Sequence, residues 1–224
     1  MKTLGVIPAR GGSKGIPRKN IKPMNGKPMI EYTIKAAQDS NLDRFIVSTE
    51  DPEIKQISQD LGAEVLDRPV ELADDSATTA HVIIHVLKHI DYEPDVTVLL
   101  QPTSPLRNSD HINEALNVFT AGNYDSLLSV MAFPAFVWVL GIQCPFPLNY
   151  DPYHRRPRRQ DKLTEFLENG AIYIFKTKEF LDKQYVLPGK LGFYIMPEEV
   201  SLEVDTPFGF WMCEQVMKHG SDNW

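Results

Sequence analysis

Short apolar runs of strand length alternate along the first part of the chain with segments whose apolar residues recur every three or four positions. These two periodicities distinguish buried strands from helices that bury one face. They predict strands at 3–7, 44–49, 63–66, 95–100 and 125–130 and helices at 28–37, 52–61, 79–90 and 110–119. The second helix has the clearest boundaries, with Asp51 as its N-cap, Pro52 at its first position and Gly62 at its end.

The repeated order of strand and helix predicts the fold class. Parallel strands joined by right-handed helical crossovers form an α/β fold, here a doubly wound, Rossmann-like and mostly parallel sheet. Ligands of such sheets bind beyond the carboxyl ends of the strands. The loops 8–27 and 101–107 each follow a predicted strand directly. We therefore expect a ligand site between these two loops.

The alternation breaks after residue 130. The stretch 133–160 is rich in proline and aromatic residues and contains the basic cluster "HRRPRRQ". Strand and helix patterns resume at "NGAIYIF" and "LEVDTPFGFW", so we expect one domain over 1–224 rather than two. Within it, 133–191 is predicted to be an insertion that carries hairpins, dimerisation contacts and part of the site.

Composition narrows the class of protein. The 224 residues are 42% hydrophobic and 24% charged, with a formal net charge of -7, which suits a soluble domain and argues against a general nucleic-acid binder. The longest apolar stretch, "MAFPAFVWVLGI", is too short to span a membrane and contains a proline. Two cysteines are too few for a disulfide framework. We expect a cytoplasmic protein that binds neither nucleic acid nor membrane.

The loop after the first strand concentrates positive charge. Six Lys and Arg residues and no acidic residue lie within 7–28. Gly11, Gly12 and Gly15 allow backbone N–H groups to approach phosphate oxygens. The spacing matches neither G-x-x-x-x-G-K-[ST] nor G-x-G-x-x-G. The loop spans about twenty residues, much longer than a Rossmann phosphate turn. It predicts a site for a whole nucleoside triphosphate, and the alternative is a solvated basic loop.

Six motifs occur in an order that resembles one known family. They are "IPARGGSKGIPRKN", "LDRPVELADDSATT", "LQPTSPLR", "PRRQD", "NGAIYIF" and "EVDTPFGF". This order is similar to that of the cytidylyltransferases that activate acylneuraminates and related nonulosonic acids, which include CMP-sialic acid synthetases. The resemblance runs from Leu4 to about Glu214 and is weakest over 133–153. It implies a nucleotide-diphospho-sugar transferase type of fold, CTP and an acidic keto sugar as substrates, and a homodimer.

The resemblance also implies roles for individual residues. In the basic loop it implies nucleotide contacts, with Arg10 and Lys19 steadying the phosphates as pyrophosphate leaves. Arg68 and Thr79 match positions near the nucleoside, although Thr78 or Thr79 could equally cap the following helix. Gln101 is expected to touch both nucleotide and sugar. The implied nucleotide-binding set is Arg10, Gly11, Ser13, Lys14, Lys19, Asn20, Arg68, Thr79 and Gln101.

The segment "SLEVDTP" suggests a metal site. If it is a strand, Glu203 and Asp205 share one face, while Leu202 and Val204 point into the core. Two carboxylates facing a triphosphate suit Mg²⁺, whose octahedron is completed by phosphates and water. Asp205 is expected to serve in catalysis through this metal. The alternative is an N-cap role for Asp205, and the family usually has Asp where Glu203 stands.

The sugar site is the least specified part of the sequence. The resemblance implies that Arg159 pairs with the carboxylate of the sugar and that Asn169 and Tyr173 contact its hydroxyls. For Tyr173 the alternative is packing in the core. Phe136 stands where sialic acid synthetases commonly have Lys, so the sugar stays open. Arg107 could be only a surface residue and is not predicted to be a ligand.

The combined hypothesis is an Mg²⁺-dependent cytidylyltransferase in which the anomeric hydroxyl of a free keto sugar acid attacks the α-phosphate of CTP. Two alternatives stay open. One is a nucleotidyltransferase that acts on a sugar 1-phosphate. The other is an inactive homologue that binds a nucleotide without turnover.

Overall fold

A seven-stranded sheet forms the centre of the protein. The computed structural model describes residues 1–74, 77–141, 144–151, 158 and 165–220. The strands are β1 (Thr3–Pro8), β2 (Pro23–Met24), β3 (Lys27–Pro28), β4 (Arg44–Thr49), β5 (Glu64–Asp67), β6 (Val96–Leu100), β7 (Ser126–Ala132), β8 (Trp138–Leu140), β9 (Pro145–Pro147), β10 (Phe166–Lys176) and β11 (Leu191–Ile195). The α-helices are α1 (Met29–Gln38), α2 (Pro52–Asp60), α3 (Thr79–His89), α4 (Ser109–Ala121), α5 (Thr177–Lys183) and α6 (Pro207–His219).

The central sheet is mostly parallel. Its strand order is β11-β7-β10-β6-β1-β4-β5, and only β10 runs antiparallel to its two neighbours among the pairs described. The predicted strands and helices up to residue 130 all form, with ends within a few residues of the predicted ones. The predicted doubly wound α/β fold is therefore confirmed.

Helices cover both faces of the sheet, because alternate residues of each strand point to opposite sides. Ile7 of β1 lies in a cluster with Ile30 of α1 and Ile112 of α4. Its neighbour Val6 faces the other way and packs with Ile83 of α3. The two clusters form a core on each side of the sheet, which fixes the carboxyl ends of β1, β4 and β6 at one edge.

The predicted strand over "SLEVDTP" is wrong. Residues 201–204 pair with no strand among the described residues, because the N–H of Val204 donates to the carbonyl of Thr103 over 2.8 Å instead of joining a ladder. Val204 is buried, while Glu203 and Asp205 are both exposed, so the expected alternation of faces persists without the strand. The N-cap of α6 is Thr206 rather than Asp205, and its hydroxyl accepts from the N–H of Gly209 over 3.1 Å.

Part of the predicted insertion stands apart from the sheet. Strands β8 and β9 form an antiparallel two-stranded sheet of their own, with Trp138 opposite Pro147. The chain then returns to the central sheet as β10, between β6 and β7. Among the described residues, none of the helices combines the length and the apolar character that crossing a bilayer requires.

Candidate active site

A cleft of about 440 Å³ lies at the carboxyl ends of β1 and β6. The basic loop after β1 forms one wall, the start of α3 another, and the turn after β6 the floor. Predicted site residues that share this lining are Arg10, Ser13, Lys14, Lys19, Asn20, Arg68, Thr79, Gln101 and Asp205. The fold thus brings together residues that lie up to 195 positions apart in the chain, which is the span from Arg10 to Asp205 (205 − 10).

Only some cations of the basic loop reach the cleft. Arg18 instead donates to the carboxylates of Asp51 and Glu53, and Lys27 pairs with Glu31 at 3.1 Å. The ammonium of Lys22 lies 5.5 Å above the ring centre of another residue, Phe210. The loop cations that line the cleft are Arg10, Lys14 and Lys19. The predicted anion site therefore uses about half of the positive charge of the loop.

Lys19 connects the basic loop to the acidic segment before α6. Its ammonium donates to the carbonyl of Val204 over 2.7 Å and to Oδ1 of Asp205 over 3.0 Å. The Lys19 side chain is 15% exposed, whereas that of Asp205 is 64% exposed. Ile16 and Val204 belong to one buried cluster with Phe210 of α6, which holds the two segments together. A cation and a carboxylate are thus presented to the same cleft.

Two residues of the predicted nucleotide set shape the loop. Asn20 is buried, and its amide donates to the carbonyl of Arg10 over 2.9 Å. The N–H of Gly11 donates to Oε1 of Glu50 over 2.7 Å, and Gly11 is absent from the described lining of the cleft. The Gly11 N–H therefore donates to a carboxylate, whereas the sequence predicted that it would donate to a phosphate.

Glu203 lies beside the cleft. Its Oε1 accepts from the hydroxyl of Thr103 over 3.2 Å. Partial burial and the charge of Asp205 raise the pKa of the Glu203 carboxyl. Among the described residues, no group of three or more His, Cys, Asp or Glu side chains is placed to hold a metal ion.

The nucleoside candidates Arg68 and Thr79 face the cleft from β5 and α3. Arg68 is buried, and its Nε and Nη2 donate to Oε2 of Glu50 over 3.0 and 2.8 Å. Thr78 rather than Thr79 is the N-cap of α3, since its hydroxyl accepts from the N–H of His81 over 3.4 Å. The capping alternative for Thr79 is therefore removed, and its side chain lies at the cleft.

Of the predicted sugar residues, Gln101 lines the cleft, whereas Asn169 and Tyr173 are not part of the described lining. Asn169 is buried, and its amide bonds to the hydroxyls of Ser129 and Ser201 over 2.6 and 2.9 Å. Tyr173 packs in the core, and its hydroxyl donates to the Glu168 carboxylate. Both side chains are thus bonded internally. Arg159 lies outside the described residues.

Sequence reasoning missed the acidic and hydroxyl partners of the cleft. Glu50 follows β4 directly, and its position at the carboxyl end of a parallel strand was the signal that could have identified it. Thr103 lines the cleft, and its hydroxyl reaches Oε1 of Gln101 over 3.5 Å. Arg107 is buried rather than on the surface, donates to the carbonyl of Ala171 over 3.0 Å, and has its pKa lowered to about 9 by burial.

A doubly wound sheet, a basic loop after its first strand and an ion pair of Lys19 with Asp205 define an α/β protein with a charged cleft at the carboxyl ends of its strands. Residues 4–196 match the family model for cytidylyltransferases, and the chain belongs to that family.

Curated relatives agree with this assignment. The chain is 38% identical over 221 residues to N-acylneuraminate cytidylyltransferase A of Danio rerio, covering 96% of this chain and 51% of that protein. It is 35% identical over 218 residues to N-acylneuraminate cytidylyltransferase of Escherichia coli, covering 93% and 50%. The chain thus spans about half the length of these curated relatives. Its fold is similar to that of CMP:2-keto-3-deoxy-manno-octonic acid synthetase complexed with CTP, with a TM-score of 0.72, 18% identity and coverage of 97% and 99%.

The close approach of the basic loop to the acidic segment generates the first prediction. A Cβ at Gly15 would lie 2.6 Å from the backbone oxygen of Asp205, too close for any real contact. We expect Gly15→Ala to force the two segments apart and to lower the free energy of unfolding by about 1–3 kcal/mol. Chemical denaturation with urea measures this change.

Gly12 provides the matched control in the same loop. Of the described residues, none has an atom within 4 Å of the position of a Gly12 Cβ. We expect Gly12→Ala to change the free energy of unfolding by less than about 0.5 kcal/mol. Equal destabilisation by the two substitutions would contradict the proposed contact between Gly15 and Asp205.

Proposed function

We propose that the protein transfers CMP from CTP to a free nonulosonic acid, giving the CMP-sugar and pyrophosphate. The arrangement of Lys19 and Asp205 is the observation that supports this most strongly, because a cation and an exposed carboxylate meet at 3.0 Å on one wall of a basic cleft. Its relatives bear the name N-acylneuraminate cytidylyltransferase, and a structure with the same fold was solved as a complex with CTP.

The triphosphate would occupy the basic side of the cleft. Arg10, Lys14 and Lys19 line it, and the hydroxyl of Ser13 lies in the same lining. Guanidinium and ammonium groups form charge-assisted hydrogen bonds to phosphate oxygens, which are about twice as strong as neutral ones. Asn20 would contribute indirectly, by holding the loop backbone at Arg10. The triphosphate would thereby neutralise the positive charge of Arg10, Lys14 and Lys19.

The cytosine would lie toward Arg68 and Thr79. Glu50 engages Nε and Nη2 of Arg68, so Nη1 is the guanidinium nitrogen it leaves for the base. The hydroxyl of Thr79 and the amide of Gln101 supply a donor and an acceptor in the same lining. Hydrogen bonds of these kinds can read the carbonyl and ring nitrogen of cytosine.

Glu203 and Asp205 would hold Mg²⁺. Two hard oxygen ligands suit this ion, which usually takes one or two carboxylates and completes its octahedron with substrate phosphates and water. Their mutual repulsion, which contributes to the raised pKa of Glu203, would be relieved by a divalent cation. When bound, Mg²⁺ supplies charge neutralisation at the phosphates. Glu203 is one methylene longer than the Asp usual in the family, so its carboxylate lies farther from its own backbone than that of an Asp would.

The transfer itself needs positioning and charge neutralisation. The anomeric hydroxyl oxygen attacks the α-phosphorus in line, a new oxygen–phosphorus bond forms, and the bond from the α-phosphorus to the bridging oxygen breaks. The hydroxyl proton leaves to water. The pyrophosphate departs with the electron pair of the broken bond, and Arg10 and Lys19 stabilise its charge. Asp205 keeps Lys19 in place through their ion pair.

The acceptor would be bound beyond Gln101. Arg159 is proposed to pair with its carboxylate, and Asn169 and Tyr173 to contact its hydroxyls. The hydrogen bonds of Asn169 to Ser129 and Ser201 mean that contact with a sugar requires one of those bonds to be exchanged. Phe136 lies edge-on to the ring of Tyr150 with 5.1 Å between centres, where the family commonly has a cation. We therefore assign the class of sugar and not its particular member.

Pyrophosphate release with a panel of substrates tests the proposal. We expect release from CTP with a free nonulosonic acid among N-acetylneuraminate, deaminated neuraminate, legionaminate and pseudaminate. Lys19→Gln and Asp205→Asn should each lower kcat at least about 100-fold, because an interaction made to the reacting phosphates is lost. Lys22→Gln, in the same loop, and Asp182→Asn, on the surface, are the matched controls and should stay near wild type.

The other outcomes separate the alternatives. Release only with a sugar 1-phosphate would replace the proposed acceptor, and CTP binding without release on any acceptor would identify an inactive homologue. Full activity of Lys19→Gln and Asp205→Asn would overturn the assigned site.

We also propose a homodimer in the cytoplasm. The outer face of β11 is apolar, since Leu191, Phe193 and Ile195 are 43%, 45% and 54% exposed while Tyr194 between them is buried. The ring of Phe166 on β10 lies 5.7 Å from that of Phe193 and extends the patch. An apolar face of this kind commonly marks a protein interface. Cys144 and Cys213 are both free thiols, which suits a reducing compartment.

Sedimentation equilibrium tests the proposed dimer. Phe193→Glu places a charge in the centre of the patch, and we expect it to shift the chain from dimer to monomer at micromolar concentration. Tyr185→Glu is the control, because Tyr185 is exposed but lies outside β10 and β11. A monomeric wild type, or a Phe193→Glu dimer as stable as wild type, would contradict the interface.

A further inference from the structure

One carboxylate at the end of β4 joins two parts of the cleft that are far apart in sequence. Oε1 of Glu50 accepts from the N–H of Gly11 over 2.7 Å, in the basic loop. Oε2 of Glu50 accepts from Nε and Nη2 of Arg68 over 3.0 and 2.8 Å, beyond β5. The loop would hold the phosphates and Arg68 would face the base. Glu50 itself is absent from the described lining of the cleft.

The ion pair between Glu50 and Arg68 is mostly removed from water. The Arg68 side chain is 3% exposed and the Glu50 side chain 12% exposed. Burying a charged pair costs desolvation that its attraction barely offsets, so such a pair is weak grounds for a purely stabilising role. It does hold its partners in one geometry, because two donors of a planar guanidinium converge on one oxygen. The orientation of Arg68 is thereby fixed by Glu50.

The neighbouring acid, Asp51, has different hydrogen-bond partners. Its carboxylate caps α2 by accepting from the N–H groups of Glu53 and Ile54, both over 3.0 Å, and it pairs with Arg18. Asp51 therefore anchors the outer part of the basic loop to α2. Glu50 alone of this adjacent pair bonds to both Gly11 and Arg68 in the described structure.

We propose that Glu50 is a positioning residue that couples the phosphate side of the nucleotide site to the base side. It holds the loop backbone at Gly11 with one oxygen and aims Arg68 with the other. The inference rests on the proposed function for the identity of the nucleotide. Loss of Glu50 should therefore weaken the binding of both halves of CTP, whereas loss of Arg68 should weaken the base half alone.

Isothermal titration with CTP, CMP and inorganic tripolyphosphate tests the coupling. We expect Glu50→Ala to raise the Kd for CTP at least about tenfold, since hydrogen bonds to charged groups are lost on both sides. The same variant should weaken the binding of both CMP and tripolyphosphate. Arg68→Gln should weaken CMP and leave tripolyphosphate unchanged. Glu50→Gln keeps an acceptor for Gly11 and loses the charge opposite Arg68, so it should resemble Arg68→Gln.

Glu64→Gln is the matched control. Glu64 binds Arg44 through two bonds of 2.8 and 2.5 Å on the same sheet, outside the described lining of the cleft, and its loss should leave all three Kd values unchanged. Thermal unfolding of each variant reports the structural contribution separately. If Glu50→Ala does not fold, the comparison of Glu50→Gln with Glu64→Gln carries the test.

Three results would overturn the coupling. The first is an unchanged Kd for CTP in both Glu50→Gln and Glu50→Ala. The second is weaker binding of only CMP or only tripolyphosphate by Glu50→Ala. The third is a rise in Kd in Glu64→Gln equal to that in the Glu50 variants. Failure of the proposed function would look different, because the wild type itself would then not bind CTP.

Discussion

Repulsion within the basic loop is the constraint on which the candidate site depends. Six cations lie within 7–28 without an acid, so acids from elsewhere in the chain lower the repulsion among them. Asp51 binds Arg18, and Asp205 binds the adjacent Lys19, so acids from two distant parts of the chain meet the middle of the stretch. Glu50 adds a bond to the N–H of Gly11. Arg10 and Lys14 line the cleft together with Lys19, whereas Lys22 and Lys27 lie against Phe210 and Glu31.

The topology of the sheet supplies these acids at the right place. Strand β4 lies next to β1 and runs parallel to it, so Glu50 and Asp51 leave the sheet beside the loop that follows β1. Asp205 arrives from the far end of the chain, because Val204 is packed against Ile16 and Phe210. The position of Asp205 at the cleft therefore depends on the packing of Val204 at the same edge of the sheet. A change that loosens Val204 would move the ammonium of Lys19 as well.

The sequence predicted the scaffold better than the side-chain partners. Periodicity predicts β1, β4 and β6 because each is a buried strand between clear turns, and it places the basic loop after β1. It cannot show that Thr78 rather than Thr79 caps α3, since both residues are chemically suited. Nor can it show that Arg107 is buried, because that depends on a contact with Ala171 on β10, 64 residues away.

Residues 202–205 show a second feature that the sequence pattern does not predict. Alternation of polar and apolar residues at 202–205 predicted a strand, yet Val204 bonds to Thr103 and Lys19 instead of a neighbouring strand. The pattern correctly identified which side chains are buried and which are exposed. Pairing is a tertiary property, and one sequence carries little information about it. Asp205 lines the cleft, whereas Glu203 bonds to Thr103 and is not part of the described lining.

The most direct test of the account is a crystal structure of the protein grown with CTP and Mg²⁺. We expect density for the triphosphate against Arg10, Lys14 and Lys19, with cytosine beside Arg68 and Thr79 and the ion between Asp205 and the phosphates. A nucleotide bound elsewhere, or one whose phosphates point away from the basic loop, would contradict it.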